Sequence, residues 1–76
     1  MEQFPRISHN INIMGGKACI KGTRVTVSMI LTLISEGASI NEILEDFLYL
    51  TKNDITQALQ YAAWTASAIE EPVESA

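Results

Sequence analysis

The chain has 76 residues, 47% of them apolar, a net charge of −4 and a single cysteine. That length holds one small domain that hides only about 60% of its unfolded surface, and with neither a disulfide nor a Cys/His metal cluster to staple it, a homodimer is the expected route to stability. The apolar fraction excludes a disordered chain, no apolar run approaches the ~20 residues of a membrane span, and the amino-terminal Met1–Arg6 stretch lacks the order of a secretory signal.

The first third reads as strand and turn. Ile7, Ile11 and Ile13 fall on odd positions among polar residues, the period-2 signal of a half-buried strand. Gly15 and Gly16 interrupt it, Ala18–Ile20 forms a second short run ended by Gly22, and Thr23–Val27 alternates again with β-branched residues. Residues 7–27 are therefore expected to form a β arm or hairpin. So short a ribbon is hardly stable by itself and needs helices or a second chain to pack on.

Residues 28–69 read as three helices. Ser28 is the expected cap of the first, which runs through Glu36 and stops at Gly37. Ser39 and Glu42 form a capping box for the second, whose apolar stripe is Ile40, Ile43, Leu44 and Phe47. Leu48–Leu50 makes a corner. Thr51 caps the third helix and Asp54 favours the positive end of its dipole. Ile55, Ala58, Leu59, Ala62, Ala66 and Ile69 form that helix's expected buried stripe, flanked by Ala63 and Trp64. Residues 70–76 read as an acidic tail after Pro72 closes the helix. This order matches a helix-turn-helix unit and any three-helix mini-bundle equally well.

Charge is distributed unevenly. Residues 1–24 carry Arg6, Lys17, Lys21 and Arg24 against Glu2, whereas the remaining residues carry Lys52 against eight carboxylates. Such asymmetry suits two surfaces for two kinds of partner, and ordinary solvation accounts for it as well. Lys17, Lys21 and Arg24, interleaved with glycines, fit phosphate contacts. They also fit contact with a partner protein or edge-strand guards against aggregation, and Arg24 has a further option in an internal pair with Asp46 or Glu42. On the third helix, Lys52, Asn53, Thr56, Gln57 and Gln60 form a polar face. Asn and Gln there suit the edges of adenine and Lys52 a phosphate, though a solvated face is the commoner origin of such a pattern. Gly15-Gly16-Lys17 is not a phosphate-binding nucleotide loop, because Ala18 follows the lysine and the next element is a strand. His9, the sole histidine, reads as a surface or packing residue, since no serine, cysteine or carboxylate in its segment completes a catalytic set. A chain this short rarely builds a catalytic pocket, so a non-enzymatic protein without a cofactor is expected. Tyr61 and Trp64 suit either a core edge or an interface anchor.

The stretch from Gly15 to Val27, reading GGKACIKGTRVTV, resembles the hallmark of the antitoxin-like family of domain of unknown function 433. Gly37–Asp46 looks like that family's second helix, and Thr51–Ala63, closing on ALQYAA, looks like its third. Ala18 departs from the family's usual proline, Asn10-Ile11 from its aspartate-proline pair, and the corner before the third helix lacks a proline. The resemblance implies a mainly α, homeodomain-like or winged helix-turn-helix fold with an amino-terminal β arm. It implies a cytoplasmic antitoxin of the VapB type that binds its own operator DNA and neutralises a PIN-like nuclease toxin. DNA contact would then fall to Lys17, Lys21, Arg24, Lys52, Asn53, Thr56 and Gln57. Glu70, Glu71 and Glu74 would meet the toxin by mimicking the charge of its substrate. The alternative is a protein-interaction or scaffolding module without DNA affinity.

Overall fold

The computed structural model describes residues 2–69, within which an antiparallel hairpin precedes three α-helices. The hairpin pairs β1 (Ile7–His9) with β2 (Ala18–Ile20) in the register Ile7 to Ile20, Ser8 to Cys19 and His9 to Ala18. Ile7 and Ile20 thus stand opposite each other, and both are fully buried. The expected continuation of the first strand through Ile11 and Ile13 does not form. The Asn10 side-chain oxygen accepts from the Asn12 amide and the Asn10 carbonyl accepts from the Ile13 amide, which turns the chain after His9. Ile11 is consequently 78% exposed. A single 3₁₀ turn, Met14–Gly16, leads back into β2.

Beyond β2 the Ile20 carbonyl accepts from the Thr23 amide and the Val25 carbonyl from the Ile20 amide, closing a tight turn. Gly22 occupies it at φ +79°, a conformation open to glycine and strained for other residues. The predicted strand over Thr23–Val27 reduces to one antiparallel bridge, Cys19 to Thr26. The cause is local. Thr26, not Ser28, caps α1 (Val27–Ser35), its hydroxyl accepting from the Met29 amide at 2.9 Å, so Val27 already belongs to the helix.

α1 ends as its glycine suggests. Ala38 donates to the Leu33 carbonyl and Gly37, at φ +102°, to that of Ile34, a Schellman arrangement. α2 (Ile40–Asp46) opens on the expected capping box, with both the Ser39 and Glu42 bonds formed. α3 (Lys52–Ile69) opens on a second reciprocal pair: Asp54 donates its amide to the Thr51 hydroxyl and accepts the Thr51 amide.

The core lies where α1, α2 and α3 close over the hairpin, and consists of Ile7, Ile20, Val25, Val27, Ile30, Ile43, Leu50, Ile55 and Ala58. Each fully buried isoleucine removes enough apolar surface to contribute about 1.5–3 kcal/mol. Of the stripe expected on α3, Ile55 and Ala58 are buried, Leu59, Ala62 and Ala66 are half-buried, and the Ile69 side chain lies outside what is described. Ala63 and Trp64 flank it and are exposed. The tail with Glu70, Glu71 and Glu74 lies outside the described residues. No described helix is long and apolar enough to cross a membrane.

Candidate functional site

Arg6 precedes β1 and reaches two other parts of the chain. Its Nε donates to Asp54 Oδ1 at 2.6 Å, and its Nη2 donates to the Lys21 carbonyl at 3.3 Å. Its backbone amide donates to Gln57 Oε1 at 2.7 Å, and its own carbonyl accepts from the Lys21 amide. One residue therefore ties the Lys21–Arg24 turn to the first turn of α3. Asp54 is only 1% exposed, against 38% for Arg6. Burial acts to raise the Asp54 pKa, but the bonds from Arg6 and Thr51 outweigh it and hold the carboxyl below the usual aspartate value. The carboxylate that sits between the cationic turn and the amino end of α3 is thus buried, ionised and paired, and presents no negative charge to an incoming anion.

Beside this staple lies an open groove lined by Arg6, Lys21, Gly22, Thr23, Arg24 and Tyr49. Two cations unpaired among the described residues, Lys21 and Arg24, share it beside the Arg6 that is committed to Asp54, and no carboxylate lines it, in a chain whose net charge is −4. Lys21, Gly22 and Arg24 are exposed, and a Cβ built on Gly22 would meet nothing within 4 Å, so the backbone there is open to close approach. Tyr49, at the corner between α2 and α3, is 63% exposed. The half-buried Phe47 holds its ring in an edge contact at 6.3 Å and 87°.

The residues singled out from the sequence separate into groups. Lys21 and Arg24 share the groove. Lys17 is exposed at the far end of β2, beside a different hollow lined by Val27, Leu31, Tyr61 and Thr65. Lys52 and Asn53 are exposed in the first turn of α3, adjoining Asp54 and so the Arg6 staple, whereas Thr56 and Gln57 are half-buried. The Gln57 oxygen serves the fold by accepting the Arg6 amide, so it does not present a free amide edge. No ion pair joins Arg24 to Asp46 or Glu42 among the described residues. The internal cation is Arg6 instead, which no local pattern marks because its partner lies 48 positions away. Tyr49 carries no signal of its own in the sequence, where it falls inside the corner at Leu48–Leu50.

His9 and Glu42 have structural partners. His9 Nε2 lies 3.1 Å from the Tyr61 hydroxyl, joining β1 to α3. Phe4, Tyr61 and Trp64 form an aromatic cluster with centroids 5.6–6.0 Å apart, and Trp64 stays 45% exposed. Glu42 is held below the usual glutamate range by its bonds to the backbone and side chain of Ser39. No group of three metal-ligating side chains occurs among the described residues.

A comparison with family profiles matches residues 7–62 to DUF433, described as a protein of unknown function. Among solved structures, a DUF433 member protein from Anabaena variabilis is similar, with 28% identity and a TM-score of 0.78. The match covers 86% of this chain and 64% of that one, so the present chain corresponds to less than two thirds of that protein. No curated protein matches.

Proposed function

The chain belongs to the DUF433 family, and from that premise we propose that it is an antitoxin-type regulator that binds operator DNA and a PIN-like nuclease partner. In this reading α2, the Phe47–Thr51 corner and α3 are the helix-turn-helix of a homeodomain-like or winged domain, and the hairpin is its β arm. The observation that carries it is the Arg6 staple. By burying and neutralising Asp54, it removes a negative charge from beside the exposed Lys52, while Lys21 and Arg24 stay exposed on the turn that the same arginine holds. Cations of this kind neutralise phosphates and position a helix on DNA. Asn53, one residue beyond Lys52, is exposed where a recognition helix reads bases.

Assembly as a homodimer suits the reading, because paired half-sites demand it and because Met29, Leu31 and Trp64 leave apolar surface exposed. The acidic residues Glu70, Glu71 and Glu74 supply the charge that a nuclease's basic groove would accept. The test is fluorescence anisotropy on the duplex immediately upstream of the protein's own reading frame, beside a scrambled duplex of equal length. Specific affinity of about 10⁻⁸ M or tighter at physiological salt supports the proposal. Equal binding to both duplexes, or to neither, refutes operator recognition.

A second reading, a protein-interaction module without DNA affinity, draws on Leu48, which is 86% exposed beside Tyr49 at the α2–α3 corner. It predicts that the chain neutralises its partner and ignores both duplexes.

A further inference from the structure

Phosphate contact alone leaves one feature of the groove without a use. Lys21 and Arg24 suffice to hold a backbone, yet an aromatic ring stands with them on the wall of the same cleft. We propose that this groove binds an unpaired nucleotide of a nucleic-acid strand, with the base stacked on Tyr49 and the flanking phosphates on Lys21 and Arg24. The inference rests on the nucleic-acid reading above and specifies the form of strand that the groove takes.

Four observations support it. Tyr49 is 63% exposed, although a tyrosine of this size normally covers much of its ring against the fold. The ring is nonetheless held, because Phe47 packs edge-on against it, and a positioned platform loses less freedom on stacking than a loose one. Gly22 leaves open space beside the backbone at the cleft's mouth, which lets a sugar-phosphate chain approach. Neither Lys21 nor Arg24 has an ion-pair partner among the described residues, and no carboxylate lines the groove. Aromatic faces combined with a basic track are what single strands require, since every base has a π face and each phosphate a charge. Paired bases inside a duplex offer no such face to a side chain at a helix corner unless one is unstacked. An acidic peptide would satisfy the cations equally well but offers the ring no stacking face of a base's size, which is why it serves as a probe below.

The test compares three probes against the full chain: a thymidine oligonucleotide on the order of 12 nucleotides, within the range of strand-binding sites, an abasic strand of equal length, and a glutamate peptide of equal charge. The thymidine strand should bind about 5- to 150-fold more tightly than the abasic one, the range for one stacked base. Tyr49→Ala should erase that difference, and Tyr49→Phe should keep it. Circular dichroism of both variants separates a lost platform from a lost fold. Equal binding of abasic and thymidine strands, an unchanged preference in a folded Tyr49→Ala, or a peptide bound as tightly as the thymidine strand overturns the stacking proposal. If Lys21→Ala and Arg24→Ala still weaken DNA binding in that event, the nucleic-acid reading survives alone. If the wild-type chain binds no strand and no duplex, both fall.

Discussion

Replacing Arg6 by Ala should destabilise this protein well beyond what a partly exposed side chain usually contributes. Asp54 would remain buried, keeping the bond from the Thr51 amide and losing the cation 2.6 Å away. Breaking a fully buried pair from one side costs about 3–5 kcal/mol. Arg6 is 38% exposed, so water screens the pair and takes part of its place. The expected loss is that of a charge-assisted hydrogen bond, about 1.5–3 kcal/mol. For a chain of 76 residues the whole stability is about 4–11 kcal/mol, so the variant gives up a large share of it. At about 4–8 °C per kcal/mol for a domain of this size, thermal unfolding followed by circular dichroism should shift down by about 6–24 °C. Arg6→Lys, which keeps the charge and loses the fork that also reaches the Lys21 carbonyl, should fall between. A melting temperature for Arg6→Ala within about 2 °C of the wild type would refute the view that the staple holds the turn against α3.

Acid should act through the same pair. Asp54 titrates below the usual 3.8, so its stabilisation is complete above that value and is lost as pH falls through the folded pKa. The melting temperature should be level between about pH 5 and 7, drop below about pH 4, and drop less steeply in Asp54→Asn. Gly22→Ala places a side chain at φ +79° in open space, so only backbone strain opposes it; a loss of about 1 kcal/mol is expected in urea titration, and none would show that the turn relaxes freely. Light scattering at micromolar concentration should give twice the 8.4 kDa chain mass, and a clean monomer would remove the two-fold reading. Deleting residues 70–76 should leave melting unchanged while weakening the complex with a nuclease partner, and undiminished neutralisation would move that contact to the helices.

What the sequence discloses here is local. The Ser39 and Glu42 box, the Gly37 stop and the Thr51 cap depend on residues within five positions of one another, and each forms as read. The strands are less legible because alternation does not state its own length. Ile11 keeps the period of Ile7, yet the Asn10 turn takes it out of the sheet. Thr26 satisfies both the strand pattern and a helix cap, and the cap prevails because it satisfies an otherwise free amide in the first turn of α1. In the candidate site, Lys17, Lys21 and Arg24 look like one cluster along the chain. Lys17 precedes β2 and Lys21 follows it, about 13 Å apart in extended chain, so only Lys21 and Arg24 share the groove. Arg6, Gln57 and Tyr49 were beyond reach for a different reason. Their roles arise from segments that meet only in the folded chain, and no spacing rule connects position 6 with position 54.

If Lys21 and Arg24 hold phosphates, the salt dependence of duplex binding must show it. Affinities of the wild type, Lys21→Ala and Arg24→Ala should be measured from about 50 to 200 mM salt, a range over which phosphate contacts weaken steeply. Each variant should bind less tightly to every sequence, with the slope of log affinity against log salt reduced by about 0.9, one phosphate's worth. Slopes indistinguishable from the wild type in both variants, with the proteins folded, would contradict the account.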